Sequence, residues 1–373
     1  MCIRDSRKDF LETGGVVRVR HAVTAAEERV EMRRRIAAFG PFTVAVASLA
    51  GDRGIAVNRI FANFFTAKGA WAGMAWQFGS SKRGTPVLSA TFVDSRPLQR
   101  KDAMFSLPVA VLAVTNFEEM KRQPDLFFGQ LRPGGFLIIN HTAPGETLWR
   151  ELMDHVPEDI RRPVLSLREE KQTCRIPSDA FAPAETVEVP EHGRTVASLK
   201  ELKERIASVV WSRPLARLNP DQIRRVEKMT AMVTARVISV DMDGIMQEVT
   251  GSTNVVSNLV AVGPMFQALV ALGFPFDWDA DLNLLSRGFP EAVLRNSRML
   301  QHYYRAMERA RELCGPAIEE SCRVLVEEPP SASSEAAIAR KAAEETTGED
   351  PGDSLMIMGG TIAGMVCLLY TSD

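Results

Sequence analysis

Two short stretches concentrate the residue types that hold anions. Leu49-Ala50-Gly51-Asp52-Arg53-Gly54 follows a β-type apolar run, Phe42 to Ala47, and leads into a helical stretch that reaches about Lys68. Gly51 and Gly54 are two of the three glycines of a dinucleotide-type turn, with Leu49 where the first belongs, and Arg53 adds a cation. The backbone N–H groups opening the next helix would receive a phosphate or another anion. Three readings stay open: a nicotinamide dinucleotide, a different phosphate ligand, or a tight turn of structural use only. Against the first, the region after the next strand reads Trp76-Gln77-Phe78-Gly79-Ser80-Ser81 and lacks the acidic residue that binds ribose hydroxyls. The second stretch, Ser80-Ser81-Lys82-Arg83-Gly84, joins two hydroxyls, two cations and a glycine. Lys82 would meet phosphate oxygens as a point charge and Arg83 as a bidentate fork. The competing reading is a solvated basic loop or an interdomain salt bridge.

Other candidates are weaker. His141, in Asn140-His141-Thr142-Ala143-Pro144, reads as an acid-base residue or as a structural histidine at a strand end, and the absence of a nearby nucleophile motif favours the second. Asp241 and Asp243 look like half of a metal site, but no third ligand follows at a useful spacing, so helix capping is preferred. The Met and aromatic residues from Met265 to Phe276 suit a core or a subunit interface. His302, Tyr303 and Tyr304 sit on a charged amphipathic stretch that suggests a surface or interface. No Gly-x-Ser-x-Gly, His-Glu-x-x-His, P-loop or thiamine-type Gly-Asp-Gly motif occurs.

Positioning these loops requires strands. Apolar runs at Ala70 to Trp76, Val87 to Val93, Val109 to Val114, Phe136 to Asn140 and Ala235 to Val240 join Phe42 to Ala47, the fourth of these five introduced by the turn Arg132-Pro133-Gly134-Gly135. Buried strands separated by helical segments predict an α/β fold: a mostly parallel, Rossmann-like three-layer sheet with helical elaboration. Glu27 to Ala38 reads as a solvated lead-in helix. Within 147–234 prolines interrupt the pattern and only Leu199 to Trp211 and Gln222 to Met232 look helical, so this part is expected to elaborate the core. Helices are also predicted over Asn254 to Leu272 and Pro290 to Cys314. A Pro-, Ser- and Glu-rich stretch to about Asp353 has linker composition, and the start of a second domain follows it.

Composition excludes several classes. The chain has 373 residues, 45% hydrophobic and 25% charged, enough for a sizeable core. Its 45 basic and 47 acidic residues give a net charge of -2, so no general attraction to nucleic acid or anionic lipid is built in. The longest apolar stretch, Val255 to Phe274, is broken by Asn258, Pro264 and Gln267, which argues against a membrane span. No signal-peptide layout opens the chain, so a soluble cytoplasmic protein is expected.

Taken in order, these segments resemble the gamma domain of the 2-oxoacid:ferredoxin (or other acceptor) oxidoreductases, a family that includes the pyruvate, ketoisovalerate and 2-oxoglutarate enzymes. The resemblance rests on the turn Ala50 to Gly54, the loop Phe78-Gly79-Ser80-Ser81-Lys82-Arg83-Gly84-Thr85, the segment Leu131-Arg132-Pro133-Gly134-Gly135-Phe136-Leu137-Ile138, and Val240 to Glu248 before an Asn-containing helix. It covers roughly Pro41 to Thr142 and Arg236 to Leu313. The family's usual Gly-Gly-Gln-Gly stands here as Gly51-Asp52-Arg53-Gly54. Leu355 to Ala363 is similar to the opening of the alpha domain that follows gamma in fused subunits. What the resemblance implies is a supporting domain, inactive alone and holding no cofactor by itself. Thiamine diphosphate and iron-sulfur clusters would belong to other domains or subunits. Its implied ligand is coenzyme A, contacted by Gly51, Arg53, Gly54, Ser80, Ser81, Lys82, Arg83 and Gly84. Its implied partners are the alpha-type domain, a thiamine-binding beta subunit and ferredoxin or a similar acceptor. The alternatives are a scaffold domain of the same kind of complex that has lost its ligand and, third, an NAD(P)-binding Rossmann oxidoreductase.

The implied organisation is a lead-in at 7–40, a gamma-type domain at 41–314, a linker at 315–353 and a truncated next domain at 354–366. Segments 1–6 and 367–373 stand apart, because Met1 to Ser6 and Cys367 to Ser372 can be encoded by one DNA element read on opposite strands. That element resembles the transposon end used to prepare sequencing libraries, so the chain is expected to be a metagenomic fragment with adapter-like ends. Setting aside Cys2 and Cys367 leaves Cys174, Cys314 and Cys322, without Cys-x-x-Cys spacing, which supports neither a disulfide framework nor a metal site. Deleting Met1 to Ser6 and Cys367 to Asp373 should leave the melting temperature unchanged. A fall of several degrees in calorimetry would show that these residues pack.

Overall fold

The computed structural model describes residues 16–49, 54–78, 86–97, 107–122, 124–170, 190–191, 194–195, 199–252 and 257–322. In chain order the principal elements are α1 (Val16–Phe39), β1 (Phe42–Leu49), α2 (Gly54–Ala67), β2 (Trp71–Phe78), β3 (Pro86–Asp94), β4 (Val109–Val114), α3 (Phe117–Arg122) and α4 (Pro124–Phe128). They continue with β5 (Leu131–Asn140), α5 (Gly145–Met153), α6 (Glu158–Glu170), a small hairpin of β6 (Pro190–Glu191) and β7 (Arg194–Thr195), α7 (Leu199–Trp211), α8 (Pro220–Thr234) and β8 (Arg236–Val240). The last are α9 (Met242–Thr250), α10 (Val262–Ala271), α11 (Trp278–Ser286), α12 (Glu291–Leu294) and α13 (Ser297–Cys322).

Six strands form one mixed sheet in the order β2-β3-β1-β4-β5-β8. The pairings β1/β4, β4/β5 and β5/β8 are parallel, while β3 runs antiparallel to both β1 and β2. The α/β fold expected from the apolar runs is therefore present, with one reversed strand inside it. Side chains alternate cleanly between two cores, as the two-residue period of a strand requires. Val44, Val46, Val111, Ala113, Phe136 and Ile138 enter one cluster, and Ala45, Ala47, Leu112, Val114, Leu137 and Ile139 enter the other.

The first cluster is closed by α1, α2 and the helices from α9 to α13. Rings of Phe39, Phe42, Phe64, Phe65, Phe266, Phe274 and Phe276 pack in it, mostly edge to face. A buried ion pair pins the layer: Lys68 Nζ lies 2.5 Å from Asp281, whose side chain is 2% exposed. Here α1 differs from the solvated lead-in helix expected, since Met32, Ile36 and Phe39 are buried in the core. Charges at the intervening positions hide that stripe.

The second cluster is closed by α3 to α8, and 147–234, expected as an elaboration of the core, contributes most of these helices to the core itself. It supplies most of the helical layer over one face of the sheet, through residues such as Leu148, Trp149, Val164, Ile206, Val226 and Met232. Pro163 lies inside α6 and masked that helix in the sequence. The carbonyls of Met232, Val233 and Ala235, at the end of α8, are met by the Arg168 guanidinium, which also lies 4.1 Å from the Trp149 ring and pairs with Glu146. Burial lowers the Arg168 pKa, and the Glu146 partner opposes that shift.

Other boundaries also move. Arg132 to Gly135, expected as a turn before the strand, falls within the span of β5, where the register with β4 jumps from Val109↔Leu131 to Val111↔Phe136. Gly134 adopts φ +71 there and its N–H donates to Thr234 Oγ1 at 2.9 Å. The helix expected from Asn254 to Leu272 consists of a 3-10 turn, Asn258–Ala261, and α10. The one expected from Pro290 to Cys314 divides into α12 and α13, and α13 runs to Cys322, past the expected start of the linker. Tyr303, expected at a surface or interface, is 1% exposed in the core. Burial pushes the Cys314 thiol on the same helix up to about 12.

Gly315 occupies a helical position where an added Cβ meets nothing within 4 Å. The next residue, however, is Pro316, whose ring crowds a preceding Cβ in helical backbone, so Gly315→Ala should gain less than the about 1 kcal/mol of an ordinary helical site. Urea melts of the two proteins check this, and a lower midpoint would show that α13 needs the glycine.

Candidate functional site

Open parallel sheets place ligands outside the carboxyl ends of their strands, where successive connections leave in opposite directions. Here that point falls between β1 and β4. From β1 the chain passes through α2 to β2 on one side, and β4 lies on the other. β2 runs parallel to β1 because both oppose β3. Leu49 pairs with Pro86, and Val87 pairs with both Ser48 and Phe78. Thus Leu49 and Gly54, which bound the glycine turn, and Phe78 and Pro86, which bound the basic loop, all belong to one edge of the sheet.

Of the residues expected at the site, Gly54 is described. Gly51, Arg53, Ser80, Ser81, Lys82, Arg83 and Gly84 lie outside the described residues. Gly54 opens α2, and a Cβ there would press into Ser48 Oγ and stand 2.9 Å from Ser48 Cβ. The helix thus begins hard against the end of β1. The first turn of α2 carries no acidic residue, so among the described residues no carboxylate of that turn offsets the positive potential of its N–H groups. Behind it, the wholly buried Asn58 donates to Ser89 Oγ at 2.6 Å, and Thr91 Oγ1 donates to the Asn58 carbonyl at 2.8 Å. These bonds fix α2 on β3.

The far end of the same edge has the opposite charge. Asp241 caps α9, its Oδ1 accepting from Gly244 N at 2.8 Å. Asp243 binds Asn140 Nδ2 at 2.9 Å and accepts from Ser257 Oγ. Asn140 also accepts from Met242 N at 2.8 Å, so one amide ties the end of β5 to the start of α9. The capping expected of Asp241 is observed, whereas Asp243 joins two segments. Asn140 had a sequence signal, a polar residue closing an apolar strand, yet its tie to Asp243 crosses 103 positions and no local pattern announces it. His141 accepts from Ala143 N through Nδ1 at 2.9 Å and packs edge-on against Phe117, a structural arrangement.

Among the described residues no group of three or more His, Cys, Asp or Glu is arranged to hold a metal ion. No helix among them is long and apolar enough to cross a membrane. The edge combines an open helix N-terminus on the β1 side with carboxylates on the β8 side, an arrangement that sorts an anionic ligand toward β1 and β2.

No family model matches the sequence, and no curated protein matches it. Solved structures with similarity include a pyruvate oxidoreductase subunit from Thermotoga maritima, at 10% identity and TM-score 0.38, covering 73% of this chain and 96% of that one. Another is the gamma subunit of a keto/oxoacid ferredoxin oxidoreductase from Geobacter sulfurreducens, at 12% identity and TM-score 0.38, covering 74% and 98%. A third is a 2-oxoglutarate:ferredoxin oxidoreductase from Magnetococcus marinus, solved with 2-oxoglutarate, coenzyme A and succinyl-CoA bound. It matches at 13% identity and TM-score 0.37 over 78% of this chain and 32% of that one. Likeness at this level carries no assignment of function to the chain.

Gly54→Ala should cost about 1–3 kcal/mol, because the new methyl has to displace Ser48 or the start of α2. Chemical denaturation measures the loss, and Ser48→Gly in the same chain should restore part of it. An unchanged midpoint would show that α2 sits further from β1.

Proposed function

We propose that this chain is a gamma-type supporting domain of a thiamine- and iron-sulfur-dependent 2-oxoacid:acceptor oxidoreductase complex, and that its β1/β2 edge contributes to binding coenzyme A. The observation that carries this reading is the strand register, which brings the residues bounding the glycine turn and those bounding the basic loop to one edge beside the N-terminus of α2. The motif resemblance supports the choice of complex.

Of the candidate contacts, the placement of Gly54 supports a phosphate ligand. Helical N–H groups at Gly54 face that edge without a carboxylate in the first turn, and Asp241 and Asp243 lie at its other end. Arg53, Lys82 and Arg83 would supply charge to the phosphates, with Gly51 and Gly84 letting backbone approach and Ser80 and Ser81 donating hydroxyls. Coenzyme A would then supply the thiol that accepts the acyl group in the complex. This chain's part is to hold and orient the nucleotide end. Electron transfer and decarboxylation are assigned to an alpha-type domain, a beta subunit and a ferredoxin-like acceptor.

A scaffold reading has one observation behind it: Gly54 is already required by its contact with Ser48, so the turn has a structural use without any ligand. The two readings separate kinetically. Arg83→Ala in the assembled complex should raise KM for coenzyme A roughly ten- to a hundredfold, the equivalent of losing about 1.5–3 kcal/mol from a charge-assisted contact, and leave KM for the 2-oxoacid nearly unchanged. If both constants move together, or neither moves, the loop is an interdomain brace.

A further inference from the structure

The two edges of the sheet are finished differently. β8 is five residues long, starts at Arg236 and is backed by α13, whose Cys322 Sγ lies 3.3 Å from the Arg236 guanidinium. β2 is eight residues long, and among the described residues no strand pairs with its outer side. Its sequence, Trp71-Ala72-Gly73-Met74-Ala75-Trp76-Gln77-Phe78, contains no charge and no proline. Its register with β3 is unbroken from Trp71↔Asp94 to Phe78↔Val87, so no bulge turns the edge away. Exposed edges ordinarily carry one of these devices, because unpaired N–H and C=O groups recruit another strand. Met74, Ala75 and Trp76 are half-buried, and Ala72 and Ala75 pack toward opposite cores, so both faces of the strand are supported while its edge is not.

We propose that the outer edge of β2 pairs antiparallel with β2 of a second copy of this chain, about a twofold axis at Met74. A twofold antiparallel pairing requires one residue to face its own copy, and residues opposite each other must share a face. With Met74 on the axis, Ala72 faces Trp76 and Gly73 faces Ala75, each on both sides. Ala72 and Gly73 thus leave room for Trp76 and Ala75, and the two flexible Met74 side chains, one from each copy, meet at the axis. Self-pairing is usually blocked by like charges meeting across the axis, and this strand has none to meet. Lys68, just before it, is occupied by Asp281 and Glu28. Because the strand offers no charge by which to select a different protein, its own copy is the partner it fits. The resulting sheet would run continuously through twelve strands.

Sedimentation velocity on the full chain tests this. The wild type should sediment as a dimer, and Met74→Lys, which places two ammonium groups opposite each other, should weaken dimerisation tenfold or more. Met74→Cys supplies a positive readout that needs no loss of stability. Facing residues in such a pair have Cα atoms about 4.5–5.5 Å apart, within disulfide reach, so mild oxidation should give a covalent dimer that the wild type does not form. A wild type that stays monomeric to about 100 μM overturns the proposal, as does a dimer that persists in Met74→Lys without cross-linking in Met74→Cys. Pairing of β2 with a strand of a different protein, while the chain alone stays monomeric, overturns it too.

Discussion

Strand β1 is hydrogen-bonded along both edges, antiparallel to β3 and parallel to β4, and its side chains alternate between two buried clusters. A strand so placed has no side left for water, so both faces of the sheet need a complete helical layer. The burial involved is large, since a fully buried Val, Leu, Ile or Phe is worth about 1.5–3 kcal/mol relative to exposure. The position of β1 also decides where chemistry fits. With both faces filled, only the ends of the strands remain open, and at the carboxyl end the turn into α2 is held by the Gly54 contact with Ser48.

This constraint explains what the sequence made legible. Six apolar runs marked the six strands of the main sheet because doubly buried strands are nearly continuous in Val, Ala, Ile and Leu, and Gly54 and Asp241 were visible because turns and caps demand particular residues. Strand direction was not legible. β3 resembles the parallel strands of the sheet in its apolar run, and only the short sequence separation from β2 indicates a reversal. The part of the helical layer formed by α5 to α8 was misread for a related reason: Pro163 conceals a helix locally, and the amphipathic stripe of Trp149, Leu152 and Met153 gains meaning only against a sheet face more than a turn away in sequence. For the site, residue types pointed to two loops, while the edge they share follows from pairings such as Leu49 with Pro86 that span 37 positions.

Electrostatic organisation was the least legible of all. Net charge near zero says nothing about how charge is sorted, yet the carboxylates of Asp241 and Asp243 stand at one end of the sheet edge and a helix N-terminus with no acidic residue in its first turn at the other. Arg168 shows the same long-range logic inside the fold. Its guanidinium donates to the Met232 and Val233 carbonyls, which the end of α8 leaves without intrahelical partners, and to the Ala235 carbonyl just after it, and its pairing with Glu146 balances a cation removed from water.

The distribution of helices between the two layers has a consequence for assembly by tethering. α1 and α13, the outermost described helices in chain order, both pack into the cluster that holds Val44 and Val46, while the opposite face is covered by helices from α3 to α8. The chain therefore enters α1 and leaves α13 on the same side of the sheet. A tether keeps what it joins at a raised effective concentration only within its reach, so the length of any connection, and not the direction of these two helices, would decide which face a joined domain can visit.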